Sequence, residues 1–458
     1  MNGKQRIKIL KRRSPPSNQL MVINRIPLVL SLAAVTLSAV LFGQQASASL
    51  PGIGLKPQLP PPNPTAQTAN FSTVGKWPAG SMPAAPPGFK VRRFAENLVN
   101  PRWLYVLPNG DVLVAESSTN PKTPKNEKER QVQKLLRQAG NITPNADRIT
   151  LLRDANRDGI VDTRTVFKDG LNQPFGMLLL KDQFYVANTD GILQFTYKEG
   201  QTRIEGLGKK ILRLPEGGYN NHWTRNLIAN AAGTKIYVSV GSASNAAEHG
   251  MEEEARRANI LEINPDGSGE RIFGSGLRNP NGMDWQPNTN MLWTVANERD
   301  NLGDDLVPDY LTSVRDGGFY GWPYSYFGQN VDPRVREQRP ELVNKAIVPD
   351  FALGPHTASL GLVFYKGTAF PERYRGGVFI GQHGSWNRTR FSGYKVIFVP
   401  FRDGRPVAPV EDFLTGFLAD EKTGKTNGRP VGVVVDSAGA LLVADDTGNT
   451  IWRVIPSK

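Results

Sequence analysis

The 458-residue chain contains no cysteine and four histidines. Without a thiol it can build no disulfide, thiolate zinc site, iron–sulfur cluster or cysteine nucleophile. With so few imidazoles, the search for a base that works near neutral pH is short. No Gly-x-Gly-x-x-Gly stands between a strand and a helix, and no P-loop is present, which argues against a nicotinamide enzyme. Long apolar runs are scarce too. The one run of note, from about Ile26 to Phe42, falls short of a membrane span and holds Pro27 and Ser31.

The net charge of +13 is unevenly distributed. Residues 1–48 carry Lys4, Arg6, Lys8, Lys11, Arg12, Arg13 and Arg25 and no acid, so the remaining 48 Lys and Arg against 42 Asp and Glu leave +6. That balance does not suggest a nucleic-acid partner. The basic start, the apolar run and Ala46-Ser47-Ala48 read as a signal peptide over 1–48, placing the protein in the periplasm or outside the cell. The rival reading is an uncleaved membrane anchor. Arg12-Arg13 lacks a twin-arginine continuation, and no cysteine follows the cleavage site, which excludes a lipoprotein. Ten prolines between Pro51 and Pro87 make residues 49–88 a stiff linker unable to form ladders, and the folded body is expected over 89–458.

Gly 46 and Pro 35 point to many short strands. Six strands share one form, apolar and ending in a small or polar residue before a loop: Val112–Glu116, Phe184–Asn188, Ile236–Ser242, Met291–Asn297, Val378–Gln382 and Leu441–Asp445. Five are preceded by a Pro- or Asn-led turn: Asn100-Pro101, Gln173-Pro174, Asn221-His222, Asn279-Pro280 and Arg429-Pro430. The sixth, His356 to Gly361, is looser. The uneven spacing fits blades with loop insertions. Asn449–Ile455 is expected to pair with the last blade, and Glu127–Ala139 to be a helical insertion. The expected fold is all-β, a six-bladed propeller preceded by the signal peptide and linker, with its turns converging at one end of a central channel.

Among the histidines, His222 opens the third repeat and is the candidate general base. The fourth repeat carries Gly276-Leu277-Arg278-Asn279-Pro280-Asn281-Gly282, then an acidic loop Asn297–Asp305, then Gly317-Gly318-Phe319-Tyr320-Gly321-Trp322-Pro323. These offer a guanidinium for an anion, oxygen ligands for Ca²⁺ and an aromatic wall.

That order resembles the soluble-type pyrroloquinoline quinone (PQQ)-dependent sugar dehydrogenases, and within them the L-sorbosone dehydrogenase branch, over roughly residues 89–458. The resemblance implies a six-bladed propeller that oxidises a sugar or sugar-derived aldehyde with PQQ and Ca²⁺, passing electrons to a quinone, cytochrome or dye acceptor. It makes His222 the base and Arg278 and Asn279 the pair touching the cofactor, with Arg278 near the reacting carbonyl. It gives Arg429 a quinone carboxylate, and it puts the backbone carbonyls around Arg299, Asp300 and Asn301 at the ion. His383 or Arg388 stands where a cofactor-contacting lysine is expected. Two departures stand out: Asn221 precedes the base where an orienting Asp is expected, and Asp300-Asn301 replaces a Gly-Pro.

A second Ca²⁺ loop is suggested by Asp154, Asn156, Asp158 and Asp162 with Gly159 at the sixth position, although Thr165 stands at the twelfth; a plain hairpin turn is the alternative. Two other functions fit a propeller. One is a calcium-dependent lactonase with its cation held by Glu116, Asn188 and Asn297, and the other is a non-catalytic carbohydrate-binding propeller. Monomer and homodimer both suit a ring that closes its own edges.

Overall fold

The computed structural model describes residues 52–66 and 68–457. The expected signal peptide or anchor, residues 1–48, lies outside these. Among the described residues no helix is long and apolar enough to cross a membrane.

Six antiparallel sheets of four or five strands follow one another along the chain. The first runs Pro101–Val106, Val112–Glu116, Arg148–Arg153, Thr163–Lys168; the second Met177–Leu180, Gln183–Asn188, Gly191–Thr196, Lys209–Arg213. The third comprises Arg225–Ala229, Ile236–Val240, Asn259–Ile263 and Arg271–Ser275, with Gly318–Phe319 added in parallel at its edge. The fourth comprises Asn279–Trp285, Leu292–Asn297, Pro308–Ser313 and Phe351–Pro355, and the fifth Ser359–Phe364, Val378–Gln382, Lys395–Val399 and Glu411–Leu414. The sixth joins Pro430–Val435, Leu441–Asp445 and Thr450–Pro456 to Phe89–Ala95, so the two ends of the folded body share one sheet.

The first strands of the sheets meet in a closed ring, giving a propeller-like fold. Tyr105 Oη accepts from Leu179 N at 3.0 Å between the first and second sheets, and Asn226 Nδ2 donates to Asn281 O at 3.1 Å between the third and fourth. The other junctions are glycine contacts, at Gly176, Gly282, Gly361 and Gly432. A Cβ on Gly282 would stand 2.6 Å from Leu360 O, and one on Gly432 2.8 Å from Arg102 O. This explains the recurring Pro-x-Gly: the neighbouring backbone occupies the space a side chain would need. Residues from all six inner strands line a cavity of about 580 Å³ along the ring interior. Between sheets the core is aliphatic and aromatic, densest where Phe370, Tyr374, Phe379, Phe398 and Phe413 pack at full burial.

All six recurrent strands, the terminal strand and the helix Glu127–Gln138 fall within two residues of the expected bounds. The segment before Phe89 does not behave as a linker. Ile53–Gly54 pairs with Phe351–Pro355, Thr73–Val74 pairs with Lys425–Thr426, and Ala84 bridges Thr415. Its prolines are spaced so that the residues between them still supply amides to the body, and the segment packs as a strap in one compact unit with it.

Candidate functional site

In each antiparallel pair the start of the inner strand lies opposite the end of the second strand. Pro101 faces Glu116, Asn279 faces Asn297 and Pro430 faces Asp445. The turn residues and the polar strand ends therefore gather at one end of the ring, as the repeat pattern implies.

There, His222, Arg278, Asn279, Asn297, Asp300, Asp309, His356 and Trp386 line a cavity of about 170 Å³. His222 Nδ1 lies 2.8 Å from Ser242 O and 3.0 Å from Ser242 Oγ. A carbonyl can only accept, so Nδ1 carries the proton and the Nε2 lone pair is free. Burial and the Arg278 guanidinium press the imidazole pKa down to about 3, keeping the ring neutral. The orienting partner is thus Ser242, at the end of the second strand. Asn221, next to the base in sequence, is exposed, and its Oδ1 accepts from Lys122 Nζ at 3.2 Å.

Arg278 is buried and held from three sides. Its Nε donates to Asn245 O at 3.0 Å, Nη1 to Glu298 O at 2.6 Å, and Nη2 to Asn245 Oδ1 at 2.9 Å and Asp300 Oδ2 at 3.2 Å. Burial lowers its pKa against the opposing field of Asp300. Asp300 is itself held below the usual carboxylate range: burial opposes ionisation, but His356, Arg278 and His222 outweigh it. Asn279 Nδ2 reaches Asn297 Oδ1 at 3.3 Å, while its own Oδ1 is buried without a partner.

His356 is a site residue that the sequence reading passed over, although it stands at the sixth recurrent turn. Its Nε2 lies 3.1 Å from Gly303 O and its Nδ1 3.5 Å from Asp300 Oδ1. Burial opposes its protonation, yet these oxygens raise its pKa. Asp309, behind it, is lifted by burial to about 6 despite bonds from Glu298 N, Thr357 Oγ1 and Ser359 N.

Several expected site residues have other work. Arg299 is fully buried, with its donors on Glu298, Pro323 O, Asp332 and Ser325 O, and it turns away from the cavity. Arg388 binds Asp304 O and Asp305. The Gly-Trp-Pro run is a buttress and not a wall: Trp322 Nε1 donates to Asn245 O at 3.0 Å, behind Arg278, and Trp386 is the tryptophan that lines the cavity. The carbonyls of Asp300 and Asn301, expected at Ca²⁺, accept instead from Asn245 Nδ2 and Arg334 Nη1. In the Asp154–Asp162 loop the acid and amide oxygens accept from the loop's own amides, as a turn requires. Of the residues a lactonase cation would use, Glu116 accepts from Arg148, Thr150 and Val99 N, and no group of three His, Cys, Asp or Glu side chains able to hold a metal ion exists among the described residues.

His383 and Arg429 form a second polar cluster backing the cavity wall at Gly384. His383 Nε2 is 2.8 Å from Asp446 Oδ2, and Asp446 also pairs with Arg102. Arg429 donates to His383 O (2.9 Å), Ala139 O (3.1 Å), Asn141 Oδ1 (2.6 Å) and Gly384 O (3.2 Å). It is buried and makes no ion pair with any carboxylate among the described residues, while Arg102 Nε is buried without an acceptor.

Two family profiles match the chain: a domain of unknown function (DUF7133) over residues 81–385, and TrAA12-like over 331–457. A protein described as uncharacterized from Borreliella burgdorferi is 28% identical over 351 residues, 74% of this chain and 82% of the relative. Aldose sugar dehydrogenase YliI of Escherichia coli is 26% identical over 183 residues, 37% of this chain and 47% of that protein. Among solved structures, a carbohydrate-active enzyme of family AA12 from Trichoderma reesei superposes with a TM-score of 0.66 at 19% identity, covering 82% of this chain and 98% of its own. The holo PQQ domain of pyranose dehydrogenase from Coprinopsis cinerea does so with a TM-score of 0.64 at 20% identity, covering 84% and 100%. At such identities the structural likeness establishes the shared fold. With the first profile spanning most of the folded body, the chain belongs to the DUF7133 family.

Proposed function

We propose that this protein is a PQQ-dependent oxidoreductase, a six-bladed propeller that oxidises a sugar or sugar-derived aldehyde and passes the electrons to an external acceptor. The observation that carries the reading is a cation surplus beside a free base. A buried guanidinium without a counter-ion is costly and marks a place for an anion. Arg429 without an ion pair and Arg102 Nε without an acceptor stand behind the cavity that holds His222 and Arg278. Their chemistry fits a planar polycarboxylate such as this quinone, named in the holo pyranose dehydrogenase relative and implied by the sequence resemblance. The carbonyls of Asp300 and Asn301, already bonded to a guanidinium, do not fit Ca²⁺.

When bound, the quinone would supply the two-electron acceptor. His222 would take the substrate hydroxyl proton at Nε2, and Ser242 would hold the ring in the productive tautomer. Arg278 would present positive charge where negative charge grows, and Asn279 would offer its free Oδ1 to a hydroxyl or N–H. The sugar class is supported by the aldose and pyranose dehydrogenase relatives. The sorbosone-type aldehyde is favoured by the Arg-Asn-Pro-x-Gly and Gly-Gly-x-Tyr-Gly-Trp-Pro order. The N-terminal sequence supports export to the periplasm or beyond.

The test is to titrate the protein with PQQ, following quinone absorbance and melting temperature, and then to screen sugars and sugar aldehydes with a dye acceptor. Saturable one-to-one binding with dye reduction is expected. Sugar binding without quinone binding would turn the reading to a carbohydrate-binding propeller.

A further inference from the structure

The loop from Glu298 to Asp305 carries a cation of its own. Arg334 enters it from the excursion after the hairpin of Ser325–Tyr326 and Asn330–Val331. Its Nη1 donates to Asp300 O at 2.6 Å and to Asn301 O at 3.3 Å. Its Nε and Nη2 grip the two oxygens of Asp332 at 3.0 and 2.8 Å. Asp332 is fully buried and shares Oδ2 with Arg299 Nη1 at 3.1 Å. Glu298 completes the group through Arg299 Nε at 3.0 Å. Two carboxylates and two guanidinium groups thus balance without a metal. Of the loop's other acids, Asp300 is committed to Arg278 and His356, Asp304 accepts from Thr68 Oγ1 and Thr389 N, and Asp305 pairs with Arg388.

A Ca²⁺ ion needs about six to eight oxygens at roughly 2.3–2.6 Å. Here the two loop carbonyls face a guanidinium at hydrogen-bond distance, and a second positive charge cannot share them. A guanidinium does part of what the ion would do: it neutralises the carbonyl ends and fixes the loop's shape. It is also permanently charged and cannot be chelated.

We propose that Arg334 is the resident cation of this loop and stands in the place of a divalent metal, so that the protein positions an anionic ligand beside Arg278 without Ca²⁺. The ligand half rests on the quinone reading; the metal half does not. Arg334 is a positioning residue, acting through the Asp300–Asn301 backbone of the loop whose Glu298 carbonyl and Asp300 carboxylate Arg278 holds.

The experiment uses the full chain stripped with a chelator. Ca²⁺ binding is followed by calorimetry and by the melting temperature without quinone, and PQQ affinity is then measured with Ca²⁺ and with chelator. An Asp158→Ala background removes any heat from the acidic loop at 154–162. Wild type is expected to show no Ca²⁺-dependent rise in melting temperature and the same quinone affinity in both buffers. Arg334→Ala is expected to melt lower and to regain stability with Ca²⁺, whereas Arg334→Lys stays indifferent to it. A wild-type melting temperature that rises with Ca²⁺ in the Asp158→Ala background, or a quinone affinity lost in chelator, overturns the proposal. If quinone binds in neither buffer, the quinone reading fails while the Ca²⁺ titration still decides the role of Arg334. If Arg334→Ala does not fold, the wild-type titration decides.

Discussion

Phe71 stacks on Trp386, with ring centroids 5.5 Å apart and planes 12° from parallel. Trp386 lines the cavity that holds His222 and Arg278, and Asn70 N donates to its carbonyl at 2.8 Å. The strap that precedes the ring therefore forms the outer support of the candidate site. A Phe71→Ala variant should lose a stacked pair worth about 1 kcal/mol. Since the ring core is untouched, the melting temperature should fall by only a few degrees, while sugar KM rises several-fold. An unchanged KM would show that Trp386 holds its place without the strap.

Trp77 ties the same strap to the sixth sheet. Its Nε1 donates to Asp445 Oδ2 at 2.8 Å, and Trp452 Nε1 donates to the same oxygen at 3.0 Å. Trp77→Phe keeps the packing against Phe417 and Trp452 and deletes one donor to a buried carboxylate, which should cost about 1–3 kcal/mol. Denaturant unfolding measures this. A change within error would mean that the strap adds nothing to the body's stability.

His222→Gln should lower turnover with sugar by about 100-fold or more, the usual worth of a positioned base. Quinone affinity should be unchanged. Because the imidazole pKa is depressed to about 3, the kcat/KM profile should lack an acid limb from this group above about pH 4. A limb near pH 6 that survives the substitution would assign the titration to the interacting pair of Asp309, whose pKa burial lifts to about 6, and His356.

His383 makes stability depend on pH. Burial first, and then Arg429, lowers its pKa to about 4, against 6.5 for an exposed imidazole. Between those values the unfolded chain binds a proton that the folded protein refuses, so stability is lost as pH falls from 6.5 towards 4. The loss from this group reaches up to about 3 kcal/mol. Asp445, lifted by burial to about 6, acts in the opposite direction, so the quantity to measure is the difference between wild type and His383→Gln. That difference should shift in favour of the variant on acidification. A flat difference would mean that His383 takes up its proton in the folded state as readily as in water.

Quinone binding should raise the melting temperature of wild type as ligand exceeds its Kd. In Arg429→Lys the guanidinium fork is gone, while one charge still faces the carbonyls of His383 and Gly384. The quinone-dependent rise should shrink, with a smaller change in the melting temperature of the quinone-free protein. An equal rise in both proteins would place the quinone away from Arg429.

The repeat was legible because each unit solves the same local problem. An apolar strand must be buried on both faces, and a polar end must reach the loop side. Val112–Glu116 and Leu441–Asp445 therefore announce themselves, and their turns mark one end of the ring. His222 and Arg278 could be picked out from residue type and place in the repeat. Tertiary structure decided which of their neighbours matter. Ser242 orients His222 from 20 residues away, and Asp300 links Arg278 to His356, 78 residues apart in sequence, around the strand ends of the fourth sheet. Arg299, one residue from Asp300, faces the opposite way, because successive side chains of an extended segment alternate in direction. Arg334 reaches its loop only through the fold, and nothing in its sequence surroundings sets it apart from an exposed arginine. Composition and periodicity determined the sheets and the end of the ring where they could act. The partners of each buried charge were decided by desolvation, which makes every guanidinium and carboxylate at that end take the nearest complement that folding supplies.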